Sequence, residues 1–190
     1  MNLCLAVNVP VQALVKLPVS DLVKAHRSSA GKWPGLIIDV AEAQILNDLA
    51  LADELAKKFV PSNVRLAVGD FGSGYAALAK VKELPFVEVK IDRAFVTGCG
   101  TDKVKAPICK TAIDLAHNFG SVVVAVGIEK AADAMALVSM GCDFGQGFLA
   151  RPADAGGAVC LAVAPARRNE SAGKGQELAC LISGSRRRGA

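Results

Sequence analysis

The sequence predicts an α/β fold built on one parallel sheet, a TIM-like (β/α) barrel. Three observations carry that expectation. Short, almost wholly apolar runs recur along the chain, and strands that are apolar on both faces belong to parallel sheets covered on both sides. Between these runs lie segments whose apolar residues recur at helical spacing. No GxGxxG follows any strand, which ranks a barrel of repeated βα units above a dinucleotide-binding fold.

The elements follow in order. Leu3 to Val7 reads as a strand ending at Asn8, and Pro18 to Ala25 as a helix opened by Ser20. Leu36 to Val40 is a second strand, followed by a helix that places Ile45, Leu49, Ala52, Leu55 and Phe59 on one face. Val64 to Val68 is rich in β-formers, and Tyr75 to Leu84 is helical until Pro85 stops it. Phe86 to Ile91 is the next strand. Pro107 suits the first turn of a helix whose Ile108, Ala112, Leu115 and Phe119 share a face, with Gly120 just beyond its end. Val122 to Val126 is a strand, Ala131 to Met140 a helix stopped by Gly141, and a short strand follows near Cys142. About six βα units are present, whereas a closed barrel needs eight strands.

Composition narrows the function. At 190 residues and 52% hydrophobic, the chain can bury one sizeable core. From Pro165 onward lie six basic residues (Arg167, Arg168, Lys174, Arg186, Arg187, Arg188) against Glu170 and Glu177, so the net charge of +4 belongs to the tail. Nucleic-acid binders carry such charge on the folded body, so nucleic acid is not an expected partner. Residues 166 to 190 lack periodicity and are expected to be a disordered basic tail. Six cysteines without a CxxC pair give no zinc framework, and free thiols suit a reducing cytoplasm. No stretch reaches the roughly 18 apolar residues of a membrane span, so a cytoplasmic location is expected.

Residues 66 to 96, LAVGDFGSGYAALAKVKELPFVEVKIDRAFV, run strand, Gly-rich loop, helix, turn and a second strand ending in Lys90-Ile91-Asp92. This stretch resembles the centre of the EAL-type cyclic di-GMP phosphodiesterase domain, whose pattern there reads DDFGTGY…LP…LKIDR. The resemblance spans roughly residues 3 to 153, with Gly141-Cys142-Asp143, Gln146 and Arg151-Pro152 matching near its end. It begins only at the strand carrying Asn8, so the name-giving Glu-Ala-Leu is not in this sequence. The resemblance therefore implies a barrel domain over residues 1 to 165, incomplete at its N-terminus through a misplaced start or a truncated gene, or completed by a partner.

In that family, hydrolysis uses two divalent cations, Mg²⁺ or Mn²⁺, about 3.5–4 Å apart, held by oxygen ligands at strand ends. Asn8, in AVNVP, resembles a ligating Asn, although an Asn closing a strand is also an ordinary turn former. Asp39 stands where the family has a ligating Glu, its reach shorter by about 1.5 Å. Glu42 matches the second Glu of that motif, which steadies the DFG loop; alone it reads equally as a first-turn helix Glu. Gly69 replaces the first Asp of the family pair and Asp70 keeps the second, with Gly72 and Gly74 shaping the loop. Lys90 matches the lysine that orients water and touches phosphate, and Asp92 follows it. From the residues alone, an ion pair with Asp92 or Glu88 would account for Lys90 as well. Val126 replaces a family Glu, while Glu129 and Gln146 match.

The resemblance thus implies vestigial catalytic residues (Lys90, Glu129), a weakened metal set (Asn8, Asp39, Asp70) and ligand contacts through Lys90, Asp92 and Gln146. With carboxylates missing, Mg²⁺ or Mn²⁺ is not expected to be held stably. The expected role is a catalytically inactive module in cyclic di-GMP signalling that binds ligand or protein: the dinucleotide, another signalling domain or a second copy. The alternative is a metal-dependent phosphodiesterase with altered ligation.

Overall fold

The computed structural model describes residues 5–27, 35–72, 84–147 and 160–162. Seven strands form one sheet in sequence order: β1 (Leu5–Asn8), β2 (Leu36–Ala41), β3 (Val64–Phe71), β4 (Phe86–Ile91), β5 (Val122–Val126), β6 (Phe144–Gln146) and β7 (Cys160–Ala162). The first six run parallel, and β7 lies antiparallel on β6. Six parallel strands with intervening helices make a half-barrel of the TIM-like kind.

Among the described residues the α-helices are α1 (Val11–Lys16), α2 (Val19–His26), α3 (Glu42–Asn47), α4 (Leu49–Phe59), α5 (Arg93–Val96), α6 (Lys105–Asn118) and α7 (Ala131–Met140). Several depart from the sequence reading. The apolar face from Ile45 to Phe59 is interrupted at Asp48, whose side chain leaves the helical path to accept a hydrogen bond from Leu51 N at 3.0 Å. That cap starts α4 as a separate helix. On α6 the buried stripe is Cys109, Ala112, Ile113 and Ala116, rotated from the expected Ile108, Leu115 and Phe119. Small side chains at those positions let the helix approach the sheet closely, which bulk alone does not signal. The short α1 and α5 were not anticipated. The helix expected over residues 75–83, Gly74, the Arg151-Pro152 pair and the tail over 166–190 lie outside the described residues.

The main core fills the layer between the sheet's outer face and the helices. Ile38, Val40, Leu66, Val68, Val89, Ile91, Val123 and Ala125 supply the sheet side, and Leu14, Ile45, Phe59, Ile113 and Leu137 the helix side. Cys99, Cys109 and Cys142 are free and buried within it. Burial pushes the Cys109 and Cys142 thiols up to about 12, so they behave as small apolar residues. The opposite face of the sheet points into the half-barrel, where Ala6, Ile37 and Ala67 form a small separate cluster.

One buried carboxylate ties this layer to the loop after α5. Asp133, on the first turn of α7, is 1% exposed and accepts hydrogen bonds from Gly98 N at 3.0 Å and Gly100 N at 2.8 Å. Replacing it by alanine leaves both backbone donors without their acceptor. Asp133→Ala should cost roughly 2–4 kcal/mol in urea unfolding. A change under about 0.5 kcal/mol, as at an ordinary surface site, would remove the clamp from this account.

Candidate functional site

The inward-facing residues at the C-terminal ends of the strands form the site, as expected for a parallel α/β barrel. Side chains two apart on a strand share a face, so Asn8 follows Ala6, Asp39 follows Ile37 and Gly69 follows Ala67. Register places Asn8 beside Asp39, Ala41 beside Gly69, Ala67 beside Glu88, and Lys90 beside Val124. Val126 lies beside Gln146 at the far side.

The centre is a buried ionic group. Lys90 Nζ lies 2.6 Å from Asp39 Oδ2 and 3.8 Å from Glu88 Oε1, with side chains 12%, 8% and 1% exposed respectively. Asp39 Oδ1 and both Glu88 carboxylate oxygens have no hydrogen bond among the described residues. Burial pushes the Glu88 carboxyl up to about 7; Lys90 opposes the rise and Asp39 adds to it. At neutral pH the group is therefore close to charge balance. The sequence reading had named Glu88 and Asp92 as ion-pair partners for Lys90. The partner it missed is Asp39, which comes from two strands away and has no local sequence signal.

Beside this group, β3 bulges. Val68 pairs with Val89 and Phe71 with Ile91, so three residue steps on β3 match two on β4. The bulge holds Gly69 and Asp70, and Asp70 adopts a left-handed φ of 54° with its side chain exposed. A Cβ on Gly69 would sit 2.6 Å from Asp39 Oδ1. The Asp39 carboxylate therefore occupies the space a side chain at 69 would need. The following loop is fastened by Glu42, which is fully buried and accepts a hydrogen bond from Gly72 N at 3.2 Å. Gly72 has φ 124°, and a Cβ there would meet the Phe95 ring at 2.7 Å.

The remaining residues sit around the mouth. Asp92 caps α5 by accepting from Ala94 N at 2.6 Å. The exposed Arg93 pairs with Glu129 at 2.7 Å, its stem lying over Gly127, where a Cβ would meet Arg93 Cγ at 2.5 Å. Sequence reasoning passed over Arg93, though it directly follows Asp92. Gln146 presents its backbone oxygen to Gly127 N and Ile128 N at 2.7 and 3.1 Å, joining β6 to the loop after β5. Val126 is half-buried and offers no donor or acceptor side chain. Among the described residues, no three His, Cys, Asp or Glu side chains converge as a metal centre would need.

Comparison with known proteins gives a consistent picture. The family model described as EAL domain matches residues 1–153. A protein from Azorhizobium caulinodans is 32% identical over 165 residues, covering 85% of this chain but 22% of its own length. The solved structure titled as PaMucR phosphodiesterase in a c-di-GMP complex superposes with a TM-score of 0.68 at 29% identity, covering 78% of this chain and 62% of that one. Klebsiella pneumoniae BlrP1, solved with manganese and cyclic di-GMP, gives a TM-score of 0.68 at 25% identity over 76% of this chain and 37% of its own. The chain thus spans about a fifth of the curated relative.

The raised Glu88 carboxyl has a measurable consequence. Unfolded, Glu88 titrates near 4.5; folded, near 7, so between those values the folded chain holds an extra proton. Stability from this group is complete below the lower value and is lost as pH rises through the upper one. The loss should be on the order of 3 kcal/mol. Urea unfolding from pH 5 to pH 8 should show it as a difference between the parent chain and Glu88→Gln. Parallel profiles for the two would mean Glu88 is not desolvated.

Proposed function

The chain belongs to the EAL domain family, and we propose that it serves cyclic di-GMP signalling as a module that binds without hydrolysing. The observation that carries this reading is the Lys90 ammonium at 2.6 Å from Asp39, over a glycine at position 69. Hydrolysis by two cations needs several carboxylates converging on one point. Here Gly69 and Val126 supply none, Asp70 is exposed on a bulge, and Asp39 already neutralises an ammonium. This donor set does not fit a pair of divalent cations, and no step of the proposed role passes through one.

What remains suits an anionic ligand. Lys90 faces the mouth from the barrel wall, and Arg93 stands exposed at its rim. Both can donate to phosphate oxygens, as an ammonium and a guanidinium commonly do. A phosphodiester would compete with Asp39 for Lys90 and with Glu129 for Arg93. Gln146 and the loop at Gly72 border the same opening. The PaMucR and BlrP1 neighbours, solved with cyclic di-GMP, support that ligand class. The domain is taken to extend over residues 1 to 165, followed by the basic tail. No helix among the described residues is long and apolar enough to cross a membrane, and the proposed module acts in the cytoplasm.

The reading predicts micromolar heats when cyclic di-GMP is titrated into the folded chain, equal with and without Mg²⁺. Lys90→Ala should weaken binding at least about tenfold, the scale of one charge-assisted contact. With Mn²⁺ present, chromatography should show the dinucleotide unchanged. Linear product, or heat that appears only with Mg²⁺, would instead establish the metal-dependent phosphodiesterase. A folded chain giving no heat at all would leave protein contact as its role.

A further inference from the structure

Two carboxylates face the Lys90 ammonium at unequal distances. Asp39 is at bonding distance, 2.6 Å, and Glu88 stands off at 3.8 Å. Glu88 precedes Lys90 by two residues on β4, so the two side chains leave the strand on the same face. Its neighbours in register are Ala67 and Val122, neither of which has a side-chain donor. Both Glu88 oxygens are buried without a hydrogen bond among the described residues, and Lys90 is the cation nearest to them. A carboxylate in that position is expensive, whether charged or protonated, unless some arrangement of its surroundings satisfies it. Lys90 has the means to do so. Its four-carbon stem is flexible, and a displacement of about 1 Å would bring the ammonium to hydrogen-bonding distance of Glu88.

We propose that Glu88 is a positioning residue for Lys90: a second carboxylate seat to which the ammonium moves when Asp39 turns to a ligand. Asp39 then becomes an open acceptor at the mouth while Lys90 stays charged beneath it. With the ammonium on Asp39, the two groups satisfy each other and the site is closed. With it on Glu88, both a negative acceptor and the remaining N–H donors of Lys90 face the opening. Gly69 makes the Asp39 seat possible sterically, because a side chain there would collide with Asp39 Oδ1 in its present position. The inference rests on reading Lys90 as the ligand-facing cation of the site.

The test uses the full chain labelled with ¹⁵N-lysine, the Lys90 ammonium signal being assigned by its loss in Lys90→Arg. In Asp39→Asn the signal should persist at neutral pH, held by Glu88, and should vanish when Glu88→Gln is added. Disappearance in Asp39→Asn alone, or persistence in the double variant, would overturn the proposal. Should the variants be too unstable for spectra, unfolding equilibria at about pH 6 form a double-mutant cycle. In unfolding constant, Glu88→Gln should be at least about tenfold more destabilising in Asp39→Asn than in the parent chain. Equal effects in both backgrounds would reduce Glu88 to ordinary packing and sink the idea. Neither measurement contains nucleotide, so the seat stands or falls separately from the binding titration.

Discussion

Lys90 carries its charge to a place that water barely reaches, and the sheet around it is arranged to bear that cost. An ammonium 12% exposed cannot stay charged there without a counter-charge at contact distance. Asp39 supplies one from two strands away, which requires β2, β3 and β4 to hold their parallel register at their upper ends. A slip of one residue on β4 would turn Lys90 outward, toward the helices, and leave the buried Asp39 without its cation. The apolar layer outside the sheet resists such a slip. Val89 and Ile91 alternate with Glu88 and Lys90, and they are fixed among the helices that cover the outer face. Packing on one face thus sets electrostatics on the other.

The bulge at Gly69 and Asp70 follows from the same constraint. Asp39 meets Lys90 with Oδ2, and its Oδ1 then lies where a residue-69 side chain would begin. Glycine at that position relieves the collision, and the extra residue on β3 directs Asp70 out to solvent in a left-handed conformation. The chain must then be recaptured after the bulge. Glu42 does this by taking the Gly72 N–H, and Phe95 closes over the hydrogen-bearing face of Gly72, where no side chain would fit. Glu42 belongs to α3 and Phe95 to α5, so two helices fasten one loop beside the ionic group.

These relations explain what the sequence could and could not disclose. Strands β2, β4 and β5 were legible because their apolar runs are short and bounded by turn residues. Helix α7 was legible to its last residue because Gly141 ends it in the left-handed conformation that glycine adopts freely. The break between α3 and α4 was hidden because apolar spacing continues across Asp48, and only the cap shows that a new helix begins there. The site was legible as a set of positions, since Asn8, Asp39, Gly69, Lys90, Val126 and Gln146 all fall on inward strand ends. Their partnerships were not. Whether Lys90 meets Asp92, Glu88 or Asp39 depends on register between strands and on a bulge, and neither has a signature within a few residues of Lys90. Asp92 was removed from contention by a local competitor, the open N-terminus of α5.

Charge balance finally separates the two kinds of ligand the site could meet. A divalent cation is held when surrounding carboxylates outnumber the positive charges already present. Around Lys90 that surplus is less than one charge: Asp39 is matched by the ammonium, and Glu88 near its midpoint adds only part of a further negative charge. An incoming cation would have to displace the ammonium while gaining at most part of a carboxylate in return. A phosphodiester anion meets the reverse situation, with one ammonium in the wall and one guanidinium at the rim, each paired with a carboxylate it can exchange for phosphate. The exchange replaces one charge-assisted hydrogen bond by another of similar strength, provided that Asp39 finds a donor in the ligand or in water once its ammonium is taken. The proposed loss of a cation site and the proposed retention of an anion site thus share one cause, the absence of carboxylates at positions 69 and 126 beside a lysine at 90.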